Sequence, residues 1–239
     1  MIDLATKNSI EVCLSPDLLH LYDVTGKTVV VTDILRATSC MVTAFAHGAA
    51  SIKPYADLEE CRQAASEGYE TSGERNGIKV EGFDRGNSPF EYMHEGIRGK
   101  NIAFTTTNGT QAIEKARKAK HLLIGAFLNV SATADMAASL NEDLIIVCAG
   151  WKGRFNLEDT LFAGALACRL ESTFRSDDDA VIAAVTLYRE AKNDFVAFLN
   201  RSSHVQRLNR LNIHEDMAFC VKEDEYSVVP ALKGDHLTV

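Results

Sequence analysis

The sequence holds no apolar run long enough to cross a bilayer. Its longest runs, such as Leu144–Cys148, are strand-length, whereas a spanning helix takes ~20 residues. The opening MIDLATKNS has neither a basic region nor an apolar stretch, so it does not read as a secretion signal. No two of the six cysteines form CxxC. That disfavours a disulfide framework and a structural zinc site, and reduced thiols in a cytoplasm are the expectation. The histidines make no HxH or HExxH, so a zinc hydrolase is not indicated. A long Lys/Arg run is also missing, and 25 basic against 33 acidic residues leave a net charge of −8. Nucleic acid and anionic membranes are therefore not expected partners.

What is present is an ordinary globular mix, 46% hydrophobic and 24% charged, which excludes a disordered chain or a coiled coil. The length suits one domain over residues 1–239, or two α/β halves fused into one. Short apolar runs alternate with helical patterns. Strands are expected at Ser9–Leu14, Thr28–Thr32, Ser51–Tyr55, Asn101–Thr106, His121–Ala126 and Asp143–Cys148. Helices are expected at Ala37–His47, Leu58–Glu67, Thr110–Lys118, Ser131–Leu140 and Glu158–Leu170, then at Ala180–Asn200 and Val205–Leu211. This is the pattern of an α/β fold with a largely parallel or mixed sheet, its continuous apolar strands covered by helices on both faces. The recurring strand–loop–helix unit is compatible with an ancient duplication. Between Gly68 and Gly99 the pattern lapses into a charged, glycine-rich stretch, read as a functional loop. Tyr226–Leu232 reads as a final edge strand, because Pro230 argues against a central one.

Ligands of open parallel sheets bind beyond the carboxyl ends of the strands. Those ends carry Asp33 and Arg36, then Thr105-Thr106-Thr107-Asn108-Gly109-Thr110, then Cys148-Ala149-Gly150. The TTTNGT turn opens a helix, where free amides favour an anion; Thr or Asn capping would explain it equally well. It lacks the spacing of a P-loop. A strand-end Asp33 can ligate Mg²⁺ while Arg36 forks onto an anion; the plain alternative is a cap and a surface residue. Glu158 and Asp159 point about 100° apart on a helix, so one of them at most is expected to face a site, and a favourable dipole contact accounts for both. Cys148 and Arg154 fit C-x5-R, the spacing of cysteine phosphatases, though a buried strand-end cysteine is the commoner meaning. His204 is either a proton donor or a helix cap.

Five ordered blocks carry a resemblance: DILRATSCMVTAFAHGA (33–49), GERNGIKVEGFDRGNSP (73–89), TTTNGTQAI (105–113), GAFLNVSA (125–132) and CAGWKGRFNLEDTLFAGAL (148–166). In order and spacing the chain resembles the 2-phosphosulfolactate phosphatases from about residue 29 to 170, with a weaker echo at Glu215–Cys220 and Val228–Pro230. Asn76, Arg85 and Arg154 depart from the family pattern. The resemblance implies an α/β fold and Mg²⁺-dependent hydrolysis of 2-phospho-3-sulfolactate to 3-sulfolactate and phosphate, a coenzyme M biosynthesis-type step. Other 2-phospho-hydroxyacids are a further substrate class.

On that footing, Mg²⁺ would be held by carboxylates among Asp33, Glu74, Glu158 and Asp159. Thr106, Thr107, Asn108, Gly109 and Thr110 would hold the phosphoryl oxygens. Arg36 and Arg75 would clamp the carboxylate or sulfonate end, with Lys152, Lys79 and Arg154 adding local attraction. Asp33 or Asp159 would act as nucleophile or as base for water. Two rivals stand beside this: a metal-free cysteine phosphatase built on Cys148 and Arg154, and a non-catalytic binder of small organic anions. The partner expected is a small phosphorylated anion, and a homodimer is the default assembly.

Overall fold

The computed structural model describes residues 7–211 and 213–239. Its centre is a ten-stranded sheet. On one side lie β1 (Ile10–Cys13), β8 (Leu144–Cys148), β2 (Thr28–Thr32) and β7 (His121–Gly125), all parallel. On the other lie β3 (Ser51–Pro54), β6 (Asn101–Thr105) and β4 (Glu70–Arg75), also parallel, with the short antiparallel β5 (Ile78–Lys79) outside them. Every residue of β2 and β8 is buried. Side chains alternate between the faces of a strand, so complete burial means that both faces are covered.

The two parallel blocks are joined by a hairpin from the end of the chain. β9 (Ala231–Lys233) pairs antiparallel with β7, and β10 (His236–Thr238) pairs antiparallel with β3. The expected edge strand is thus corrected to a central hairpin. Pro230 stands just before β9, where it needs no ladder donor, and its carbonyl accepts the Ile124 amide at 2.8 Å. The expected lapse after Gly68 is corrected as well. Glu70–Arg75 is a strand, and its polar residues are buried because residues 84–86 fold over it: Thr71 bonds Asp84, the Gly73 amide bonds the Arg85 carbonyl, and the Ser72 hydroxyl bonds the Gly86 carbonyl.

The helices are α1 (Ala37–Ala46), α2 (Leu58–Gln63), α3 (Gly109–Lys115), α4 (Val130–Leu140), α5 (Leu157–Leu170), α6 (Asp179–Ala191), α7 (Phe195–Leu199), α8 (Ser203–Asn209) and α9 (His214–Cys220). The single helix expected over Ala180–Asn200 is two. Asp194 caps a new start by accepting the Ala197 amide. α1 follows β2, α3 follows β6 and α5 follows β8. The strand ends therefore point their loops toward one rim of the sheet, and α8 and α9 bring further residues to the same rim.

Candidate active site

Asp33 leaves the end of β2 and is buried. Its amide donates to the Thr38 hydroxyl and its carbonyl accepts the Thr38 amide, each at 3.0 Å. The turn is therefore held from its own helix, and the Ala37 amide is the backbone group that reaches the carboxylate. Gly109 lies directly against it. A Cβ there would come within 2.8 Å of Asp33 Oδ2 and 2.7 Å of the Ala37 methyl, so only glycine admits this approach.

Glu74, in β4, is also buried. One of its oxygens accepts the Thr107 amide at 2.7 Å and the other the Gly77 amide at 2.6 Å. Asn108 reaches across instead, accepting the Lys152 amide at 2.9 Å and tying the loop after β6 to that after β8. Thr106 and Thr110 cap one another: each hydroxyl accepts the other's amide, at 3.1 and 3.3 Å. Both amides and the Thr110 hydroxyl proton, which goes to the Thr106 carbonyl at 3.0 Å, are thus spent on the turn that starts α3.

Both acids at the start of α5 are fully buried. Asp159 accepts the Ile34 amide at 2.8 Å and the Gly150 amide at 3.0 Å, so it locks the loop after β2 to the loop after β8. Glu158 bonds His204 Nδ1 and takes the Asn156 side-chain amide at 3.1 Å, while its Oε2 is buried without a partner among the described residues. Burial pushes the Asp33 carboxyl well above the usual carboxylate range, and the charges of Asp159 and Glu74 push it further. Asp159 is raised too, by burial and then by Glu158. The acids thus feel one another, and a cation placed among them would be strongly favoured.

An inner cavity of about 290 Å³ opens on this rim. Asp33, Arg36, Glu74, Asn108 and Lys152 line it, together with Asn76, Asn87, Trp151, His204 and Arg207. Of the sequence-derived candidates, Thr106, Thr107, Gly109, Thr110, Arg75, Glu158 and Asp159 do not line it. Arg75 donates to the Glu74 carbonyl at 2.8 Å and to the Thr105 hydroxyl at 2.9 Å. Arg36 is ion-paired with Asp216 and reaches the Gly77 carbonyl at 3.3 Å. Lys79 donates to the Asp84 carbonyl at 2.8 Å. Cys148 is wholly buried and does not line this cavity, and burial raises its thiol well above the ordinary range. The thiol is held in its unreactive form.

Sequence reasoning assigned no site role to Asp216, Arg207 or Trp151, and left His204 open. His204 is buried, bonded to Glu158, and tilted on the Trp151 ring at 5.0 Å between centroids. Arg207 also lies over that ring, 4.5 Å from its centroid. The usable signal was the single tryptophan of the chain, standing in a strand-end loop where a core role was not available.

The chain matches the family described as 2-phosphosulpholactate phosphatase over residues 13–235. It is 45% identical over 207 residues to a probable 2-phosphosulfolactate phosphatase of Thermotoga maritima, covering 86% of this chain and 89% of that one. It is 41% identical over 217 residues to the protein of that description from Caldanaerobacter subterraneus, with 89% and 90% covered. A third such protein, from Clostridium beijerinckii, is 33% identical over 235 residues, with 96% and 98% covered.

Proposed function

The chain belongs to the 2-phosphosulpholactate phosphatase family, and from that membership we propose that it hydrolyses 2-phospho-3-sulfolactate to 3-sulfolactate and phosphate with Mg²⁺ as cofactor. The single observation that supports this most is the meeting of Asp33, Glu74 and Asn108 on one cavity, from three different strand ends. Such a rim is where an α/β sheet does chemistry. Other 2-phospho-hydroxyacids belong to the same proposal, as do a coenzyme M biosynthesis-type step, a cytoplasmic setting suited to six free thiols and a homodimer.

The donors present suit Mg²⁺. They are hard carboxylate oxygens, one of them, Glu158 Oε2, buried and unpartnered. Among the described residues no three His, Cys, Asp or Glu side chains gather to hold a metal. Mg²⁺ commonly takes one or two carboxylates and fills its octahedron with water and substrate phosphate. Asp33 and Glu74, which line the cavity, would hold it, with the buried Glu158 and Asp159 adding negative charge nearby. Bound there, Mg²⁺ would neutralise charge on the phosphoryl oxygens.

The protein's own groups do the rest. Asp33 faces the cavity and acts as the base or nucleophile, whereas both Asp159 oxygens are engaged in holding Ile34 and Gly150. Asn108 and Lys152 orient the phosphoryl group, and His204 shields it from bulk water on the Trp151 side. No specific observation favours a cysteine phosphatase. A phosphate-release assay with 2-phospho-3-sulfolactate and 2-phospholactate, with Mg²⁺ and with EDTA, tests the proposal. Metal-dependent release is expected; release that survives chelation would reject the cofactor, and no release from either ester would reject the activity.

A further inference from the structure

The cavity at the rim has two compartments of different character. The inner one carries the carboxylates Asp33 and Glu74; of its cations, Arg36 is already matched by Asp216, and Lys152 and Arg207 stand on its border with the outer one. The outer one, of about 610 Å³, has no carboxylate in its lining and holds Lys152, Arg154 and Arg207. No described carboxylate forms an ion pair with any of these three, and the buried Nε of Arg207 has no hydrogen-bond partner among the described residues. The compartments share Trp151, Lys152, His204 and Arg207, so one small ligand can lie across the boundary.

The state of each cation decides what it can still bind. Arg75 and Lys79, basic residues of the charged loop, are turned onto carbonyls and a hydroxyl. Arg207 is different. Its guanidinium lies against the Trp151 ring at 4.5 Å, which fixes the plane of the fork by stacking but uses none of its N–H groups. An arginine held in that way is set to grip two oxygens of a carboxylate or sulfonate. Lys152 and Arg154 are exposed at the same mouth. A chain of net charge −8 can draw in a polyanion only through such a local basic patch.

We propose that the outer compartment is the subsite for the non-reacting anionic groups of the substrate, and that Arg207 selects substrates that carry them. The proposal rests on the phosphomonoesterase reading of the inner compartment. It divides the ligand by charge: the sulfonate and carboxylate meet the unpaired cations outside, and the phosphoryl group lies inward beside Asp33. Arg154 supports the same group from the rim, and Lys152, at the boundary, is shared with the phosphoryl group.

Trp151 is the sole tryptophan and stands at the boundary, so its fluorescence reports occupancy without turnover. Wild type, Arg207→Ala, Arg207→Lys and Arg154→Ala are titrated with 3-sulfolactate. Turnover of 2-phospho-3-sulfolactate and of ethyl phosphate, which lacks a second anionic group, is measured in parallel. Losing one charge-assisted grip weakens binding on the order of 10–100-fold. Arg207→Ala should weaken 3-sulfolactate by that factor and lower the ratio of kcat/KM for the two esters equally, with the change in KM. Arg207→Lys should fall between, and Arg154→Ala, on the exposed rim, should give a smaller loss in the same direction even if Arg207→Ala fails to fold. An unchanged ratio overturns the proposal, whether both substrates lose activity or neither does. Wild-type hydrolysis with 3-sulfolactate binding indifferent to Arg207 and Arg154 rejects the subsite alone. Fluorescence titrations that depend on Arg207, in a protein that releases no phosphate, uphold the subsite and reject the phosphatase reading.

Discussion

Arg36 and Asp216 stand 180 positions apart in the chain and form one buried ion pair. The second Asp216 oxygen accepts the Ser88 hydroxyl at 2.9 Å. One aspartate in α9 therefore ties down both the loop after β2 and the loop after β5. It also neutralises the cation that sequence reading set aside for the substrate.

Asp216→Ala should destabilise the protein by about 3–5 kcal/mol, because it leaves the Arg36 charge buried and unmatched. Urea unfolding measures this. Replacing both partners, Arg36→Met with Asp216→Leu, should recover most of the loss. A single mutant with the wild-type midpoint would mean that the pair contributes nothing to stability.

Asp33→Asn should lower kcat about 10²–10⁴-fold, the usual contribution of a general base. It should leave Tm unchanged or higher, since it removes a carboxylate buried beside Asp159 and Glu74. Phosphate release and a thermal melt on one sample check both halves. Full activity in this variant would exclude Asp33 as base or nucleophile.

Cys148→Ser should keep the wild-type kcat, and native Cys148 should resist a thiol-specific reagent at pH 8. Burial holds the thiol protonated and away from solvent. Cys168, the one cysteine that is not fully buried, should label first. Mass spectrometry of labelled peptides decides the order.

Gly164→Ala should destabilise, although alanine is the better helix former by about 1 kcal/mol. A Cβ at this position in α5 would stand 2.1 Å from the Ala184 carbonyl oxygen and 2.8 Å from the Tyr188 Cβ in α6. Backbone cannot yield as a side chain can, so α5 and α6 must separate, and overpacking of this kind costs about 1–3 kcal/mol. A rise in Tm would contradict the close approach.

Acid should unfold the protein through three surface carboxylates. The Asp143 carboxyl is lowered chiefly by the Ser9 amide. At Asp84 and Glu70 burial works upward, but it is outweighed by Thr71 at the first and by Lys100 and Arg85 at the second, so both lie below the usual range. A lowered pKa in the folded state means stability that is complete above the unfolded values of about 3.9 and 4.3. That stability is lost as pH falls through the lowered ones. Tm should therefore decline below about pH 4–5, and Asp84→Asn should flatten that decline while lowering Tm at neutral pH. A Tm curve of wild-type shape in Asp84→Asn would remove Asp84 from the account.

Much of the frame was legible in the residues. Unbroken runs such as Val29–Val31 and Ile145–Val147 demand cover on both faces, and the helical patterns after them supply it. β4 was not legible, because its polar residues are satisfied only once residues 84–86 fold over them. The central place of the last hairpin was hidden for a similar reason. Pro230 counts against a strand only where its missing N–H would face a neighbour, and here it stops one residue short.

The site divides along the same line. Asp33, Asn108 and Lys152 could be marked in advance, because local pattern sets them at or near the ends of parallel strands; Glu74 was marked only through the charged stretch and the resemblance. Their electrical state could not be marked. Whether a cation is free or already matched depends on partners more than a hundred positions away, as Asp216 is for Arg36. Coulomb forces and burial act through space. The sequence by itself determined which chemical groups stand on the rim, and only the tertiary structure decided which of them still have a charge or a hydrogen bond to give.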